Sequence, residues 1–156
     1  MARHYTSSGI DFSGTGQTAE TLDDYEEGTY LWSMASDGTG SWAVRSQYNR
    51  AHYCKIAGHC FVGGRLETTT GWTVSGGTTA RISLPFAVSD LGEYSGHAYM
   101  GMAHWSWGTT ATVVFGWLTE GTSYAETYKI DDDDTISKIE PDQWCEWVMS
   151  GNYPCA

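Results

Sequence analysis

Apolar and polar positions alternate along most of this chain with a period of two. Tyr30, Trp32 and Met34 are separated by other residues in this way, which is the pattern of a half-buried β-strand. The alternation stops at the turn-forming pair Asp37-Gly38 and then resumes. No segment shows the apolar stripe of an amphipathic helix. About eight or nine short strands separated by turns predict an all-β fold, a single jelly-roll-like β-sandwich.

Residues 48–66 predict a β-hairpin around the two-residue turn Ala57-Gly58. The cross-strand pairs predicted by that turn are Ile56 with His59, Lys55 with Cys60, and Cys54 with Phe61. Cys54 and Cys60 then point to opposite sides of the sheet, so a disulfide within the hairpin would need another register.

The remaining pattern predicts strands at 81–84, 98–107, 110–120, 124–130 and 144–149, with residues 151–154 as a tail. Residues 1–21 carry few apolar side chains and cannot build a core alone. They predict a short extended N-terminal arm before a β-sandwich domain at 22–156. The arm is either a frayed terminus or a segment that orders against a neighbouring subunit, with Ile10 and Phe12 as its anchors.

The formal net charge of the chain is −11, and its eight basic residues are scattered. Phosphate binding needs clustered Lys and Arg, so the charge argues against nucleic acid and against an anionic membrane surface as partners. No apolar run approaches the roughly 20 residues that span a bilayer, which predicts no membrane insertion. Residues 1–20 show no apolar stretch of a secretory signal.

The chemistry-bearing residues do not form a catalytic or metal-binding motif. The four cysteines include no C-x-x-C pair, and we expect free, mostly buried thiols, since a free cysteine behaves as a small apolar residue. His52, Cys54 and His59 fall on one face of the hairpin but lack a fourth zinc ligand. Residues 131–134 are four aspartates that fit a surface turn better than a calcium loop. The prediction is therefore a protein with no metal, no cofactor and no enzymatic activity.

Two groups of residues are candidates for binding. The first is an acidic cluster that is either a solvated loop or a docking patch for Arg or Lys of a neighbour. It consists of Asp23, Asp24, Tyr25, Glu26 and Glu27. The second is Trp105 with Trp107, which share a strand face and are candidates for stacking on a glycan. The alternative for most of the eight tryptophans is burial in the core.

Several phrases in this sequence resemble, in their order and spacing, bacteriophage virion proteins. The acidic box at residues 22–29 reads LDDYEEGT, and a GIDFS phrase precedes it at residues 9–13. Residues 53–58 resemble a Y-x-K-I-G-N turn, residues 82–86 an I-x-G-L-P-F segment, and residues 150–153 a closing G-x-Y strand. The resemblance extends over most of the chain.

This resemblance implies a non-enzymatic structural protein of the virion surface, assembled in the host bacterial cytoplasm. It also implies a homotrimer, with a major capsid protein or another virion protein as its docking partner. A short arm without a stalk favours a capsid decoration (cement) protein that clamps neighbouring capsid subunits. The alternatives are the receptor-binding tip of a tail fibre, which would bind a host surface glycan, and a carbohydrate-binding module.

Overall fold

The computed structural model describes residues 4–6, 9–11, 21–22, 25–72, 79–90, 99–105, 113–130, 135–139 and 145–155. All regular secondary structure in these ranges is β-strand, which confirms the all-β prediction. The strands are β1 (His4–Thr6), β2 (Gly9–Asp11), β3 (Thr21–Leu22), β4 (Tyr25–Leu31), β5 (Met34–Ser36), β6 (Ser41–Val44), β7 (Arg50–Ile56), β8 (His59–Trp72), β9 (Ala80–Ser83), β10 (Tyr99–Trp105), β11 (Val113–Leu118), β12 (Tyr124–Ile130), β13 (Ile136–Lys138) and β14 (Glu146–Pro154). Within the same ranges there is no helix long and apolar enough to cross a membrane.

Eleven of the strands form one antiparallel sheet, in the order β14-β10-β11-β12-β9-β5-β6-β8-β7-β4, with β13 added to β12. The long strand β8 pairs with β7 through its first half and with β6 through its second half. On its other edge β8 pairs with β14, which closes a hydrogen-bonded ring. The two halves of the ring enclose one core, an arrangement that fits a β-sandwich. Jelly-roll connectivity stays a prediction.

The core is built from the alternate positions that the sequence pattern marks as apolar. In β14 the buried side chains are Trp147, Met149 and Tyr153, while the residues between them are exposed or half-buried. Trp32 and Trp42 are buried in the same cluster, as expected for most tryptophans of a small β domain. Burying such large side chains is the main stabilising contribution of this core.

The predicted hairpin is confirmed in its register. Cys54 lies opposite Phe61, and the pairs on either side of the turn are the predicted ones. Ala57 and Gly58 both have positive φ, 48° and 76°, as a two-residue type I′ turn requires. All four cysteines are free thiols, and Cys54 is the one that is not buried.

The end of the chain differs from its prediction. Residues 151–154 are not a tail but the second half of β14, where Tyr153 pairs with Cys60 of β8. Gly151 and Pro154 suggest a turn in the sequence, but backbone pairing with a central strand overrides that local preference.

The N-terminal segment predicted as an arm contains three short strands that pair antiparallel as β1-β2-β3. The backbone of Ile10 pairs with Tyr5 and with Leu22. Phe12 lies outside the described residues. The division of the chain at residue 22 stays a prediction.

Candidate binding surfaces

The acidic box continues into β4, which pairs along its whole length with β7. In the described part of the chain, no strand pairs with the other edge of β4. Because side chains alternate along a strand, Glu26 and Glu27 point to opposite faces. The predicted acidic patch is therefore divided between two surfaces. Asp23 and Asp24 lie outside the described residues.

Each glutamate accepts a hydrogen bond from a tyrosine. Tyr53 Oη donates to Glu26 Oε1 at 2.5 Å, and Tyr25 Oη donates to Glu27 Oε2 at 2.6 Å. The hydrogen bond with Glu27, followed by burial, raises the pKa of Tyr25 to about 12. The hydrogen bond with Glu26 likewise raises the pKa of Tyr53. At neutral pH both tyrosines are protonated and donate to the two carboxylates.

A groove of about 710 Å³ crosses the outer surface of β4, β7, β8 and β14. Its walls include Glu27, Cys54 and Phe61. Glu27 of β4 lies opposite Cys54 of β7, which lies opposite Phe61 of β8. Gly63 lies in its floor, and a Cβ there would come within 3.4 Å of Nε2 of His52. A side chain at position 63 would therefore occupy part of the groove.

Exposed apolar side chains are concentrated on the same surface. In the described residues five large apolar side chains are exposed. Four of them lie on this outer surface by strand alternation, namely Tyr25 at 49%, Leu31 at 60%, Phe61 at 48% and Val148 at 47% exposure. We call the surface formed by these four side chains and the groove the groove face. The fifth, Ile136, is on β13, which pairs with β12 and not with the strands of the groove face.

One end of the groove face carries a network of charged side chains. The Glu67 carboxylate, only 4% exposed, accepts contacts of 2.8 Å from Arg45 and 3.2 Å from Arg65. Arg65 also contacts Glu146 at 2.8 Å, and its guanidinium lies 4.2 Å from the centre of the Tyr48 ring. Two arginines on one buried carboxylate give a fixed, neutralised border rather than a free charge.

A second surface is formed by aromatic side chains on the outer face of β11 and β12. These residues alternate with Leu118, Ala125 and Thr127, which are buried in the core. The outward aromatic residues are Phe115, Trp117, Tyr124 and Tyr128, all half-buried. We call this set the aromatic platform. The signal in the sequence is weak, because β11 is apolar on both of its faces.

The rings of the aromatic platform contact one another across the two strands. The Phe115 and Tyr128 rings stack with centres 5.8 Å apart and planes 18° apart. The Trp117 ring centre lies 5.7 Å from that of Tyr128, with the planes tilted by 44°. Such cross-strand aromatic pairs fix the ring positions. These three rings therefore form one continuous aromatic cluster on the sheet.

Charged groups border the aromatic platform in pairs. Nε and Nη2 of Arg81 donate to Oε1 of Glu126 at 3.0 and 2.8 Å, and the guanidinium lies 4.5 Å from the centre of the Tyr124 ring. The ammonium of Lys138 lies 3.5 Å from Asp37 and 3.9 Å from Glu126. Two basic and two acidic side chains leave this border with no net charge.

A small depression of about 300 Å³ adjoins the aromatic platform. Four serine residues line it, together with Ala35, Arg81 and Tyr124. The serines are Ser33, Ser36, Ser83 and Ser123. Their hydroxyl groups both donate and accept hydrogen bonds, so the depression is suited to a ligand with many hydroxyl groups.

The predicted glycan-stacking pair is described only in part. Trp105 ends β10 at the register position opposite Glu146, and Trp107 lies outside the described residues. In the described ranges no three His, Cys, Asp or Glu side chains are grouped so that they would hold a metal ion. The acidic run at 131–134 also lies outside those ranges.

Comparison of the chain with protein families, with curated proteins and with solved structures gives no match.

Proposed function

We propose that this chain is a non-enzymatic structural protein of a bacteriophage virion that docks on neighbouring virion proteins through the groove face. The observation that carries the proposal is that four of the five large apolar side chains exposed in the described residues lie on the outer face of the strands that the groove crosses, and one of them, Phe61, lines the groove. An exposed apolar patch of this kind is typical of a protein interaction site. The acidic box supplies one of those four residues, Tyr25, and Leu31 follows the box on the same strand, β4.

The docking partner in this proposal is the major capsid protein or another virion protein, and the chain acts as a homotrimer. A molecule that binds the assembled shell but not its dispersed subunits stabilises the shell by linkage. Three copies joined in one trimer bind more tightly than one copy, because the second and third contacts form at high effective concentration. Decoration of a capsid needs no other activity.

The test compares binding of the chain to purified particles of the phage that encodes it. Phe61→Ser and Leu31→Ser each replace an exposed side chain of the groove face, so they should fold normally and bind particles about tenfold more weakly or worse. Ile136→Ser is the matched control, because Ile136 is equally exposed, at 57%, but outside the groove face. Equal binding by all three variants, or a particle that lacks this chain, would overturn the proposal.

A receptor-binding tip of a tail fibre is the second candidate, and the aromatic platform favours it because partly exposed aromatic rings can contact a host glycan. Copy number separates the two candidates. Symmetric assembly implies on the order of hundreds of copies per particle for a decoration protein and on the order of tens for a fibre. Sedimentation of the purified chain tests the trimer, and a monomer at micromolar concentration would contradict it.

A further inference from the structure

We propose that the outer surface of β9, β11 and β12 binds a neutral polysaccharide, with one sugar ring in the serine-lined depression and the adjoining ring on the aromatic platform. This site is separate from the groove face, so it does not depend on where or whether the chain docks on a particle.

The depression has the size and the chemistry of a sugar-binding subsite. Its volume of about 300 Å³ lies at the lower end of small-molecule sites. Ser33 and Ser123 are exposed and Ser83 is half-buried, so their hydroxyl groups are within reach of a ligand. Ser83 Oγ accepts a hydrogen bond from the backbone N–H of Ser33 at 2.9 Å, which orients that hydroxyl and leaves its proton to donate.

Tyr124 connects the depression to the aromatic platform. Its side chain lines the depression, and the guanidinium of Arg81 lies 4.5 Å from the centre of its ring. The aromatic side chains beyond it are only partly buried, and aromatic rings have electron-rich faces. The C–H groups on one face of a pyranose ring carry partial positive charge, so they pack favourably on such faces.

The Arg81–Glu126 pair lies between the depression and the platform rings. In the sheet, Glu126 is opposite Arg81 on one side and opposite Trp117 on the other. A guanidinium beside a carboxylate offers donors and acceptors to two neighbouring hydroxyl groups of a sugar. The pair is held at 2.8 Å, so the positions of these groups are fixed before binding.

Charge selects a neutral rather than an acidic polysaccharide. Arg81 and Lys138 are balanced by Glu126 and Asp37, and the chain as a whole carries −11. An acidic polymer would be repelled by the whole molecule without any net positive charge at the site to offset that repulsion. A protein partner fits less well here, because the large exposed aliphatic and aromatic side chains are concentrated on the groove face.

The test is an array of neutral glucans, mannans and galactans together with uronic-acid polymers, followed by calorimetry with a tetrasaccharide of the strongest neutral binder. The wild-type chain is expected to bind at least one neutral polymer. Trp117→Ala and Tyr124→Ala are each expected to weaken that binding about tenfold or more, because each removes an aromatic contact surface. Tyr124→Phe keeps the ring and should retain most of the affinity.

Phe61→Ala is the matched control, since it removes an exposed aromatic ring from the groove face and should leave saccharide affinity unchanged. Circular dichroism and unfolding curves establish that each variant is folded. Should a variant be unfolded, the shift of the Trp117 indole N–H signal in the wild-type chain on titration with the tetrasaccharide gives an independent reading. No binding to any neutral polymer, binding only to acidic ones, or equal affinity in the platform variants would overturn the proposal.

Discussion

Gly28 and Tyr53 face each other across β4 and β7, and the tyrosine ring occupies the space that any other side chain at position 28 would need. A Cβ at Gly28 would lie 2.9 Å from Oη of Tyr53 and 3.1 Å from its ring carbons. The ring cannot move away freely, because its hydroxyl group donates to Glu26 and the ring packs edge-on against Phe86 with centres 5.2 Å apart. The acidic box thus contains a glycine for a steric reason.

Gly28→Ala is therefore expected to lower the free energy of unfolding by about 1–3 kcal/mol, the usual cost of forcing an extra carbon into a packed site. Urea unfolding measures it. In a Tyr53→Ala background the space is open, so the same substitution should cost much less. Equal costs in the two backgrounds would show that the tyrosine ring is not the obstacle.

Ala57 adopts a left-handed conformation with φ of 48° in the hairpin turn. That conformation is unfavourable for alanine, whereas asparagine tolerates it and is preferred in type I′ turns. Ala57→Asn is expected to raise the free energy of unfolding by about 0.5–1 kcal/mol. Ala57→Val, with a β-branched side chain, should lower it. A destabilising Ala57→Asn would contradict the assigned turn.

Cys54 is half-buried in the wall of the groove, whereas Cys60, Cys145 and Cys155 are buried. A thiol reagent should therefore modify one thiol rapidly in the native protein and all four after unfolding. Cys54→Ala should abolish the rapid phase. A bulky maleimide on Cys54 should also block docking on particles while leaving saccharide binding intact, which tests the two surfaces separately. Rapid modification of more than one native thiol would contradict the burial.

The hairpin of β7 and β8 was predictable because two independent signals agree. Apolar alternation on both strands and a two-residue turn allow one register only, and Cys54 lies opposite Phe61 as that register requires. The strand β12 was also predictable, and the predicted bounds 124–130 are the observed ones. Where local signals conflict, as at Gly151 and Pro154, the backbone pairing of β14 with β8 decides the outcome.

The two candidate binding surfaces were harder to predict, because they depend on which side of each strand faces the core. Phe115 and Trp117 alternate with Val114 and Leu118, so both faces of β11 are apolar and the sequence does not distinguish them. The groove crosses β8 at Gly63, which pairs with His52 of β7 on one edge and with Ser150 of β14 on the other. His52 lies within the predicted hairpin, but Ser150 is distant along the chain, and a local pattern contains no information about such a partner.

The Glu67 carboxylate is almost fully buried between two arginines that are themselves about half exposed. Arg45→Met removes one of those partners and should lower the free energy of unfolding by about 1–3 kcal/mol, because a buried charge loses a hydrogen-bonded ion pair. Arg50→Met is the control, since Arg50 is exposed and donates to Thr29 at 3.1 Å. In a Glu67→Gln background Arg45→Met should cost less, and an unchanged cost would show that the arginine acts independently of Glu67.

Burial raises the pKa of the Cys60 thiol from 9.0 to about 11, although a hydrogen bond with Tyr153 acts in the opposite direction. Burial also raises the pKa of Cys145. In the unfolded chain these thiols ionise near their ordinary pKa, so folding then requires a proton to be taken up. The stabilisation is complete below the unfolded pKa and is lost as pH rises toward the folded value.

The free energy of unfolding is therefore expected to be nearly constant up to about pH 8 and to fall above about pH 9, by up to about 1 kcal/mol per pH unit for each thiol. Urea unfolding from neutral pH to about pH 10 measures this slope. Cys60→Ala should reduce it. Above about pH 10 the decline should steepen, because burial raises the pKa of Tyr30 and of Tyr153 in the same way. Identical slopes in the wild type and Cys60→Ala would show that Cys60 does not ionise on unfolding in this range.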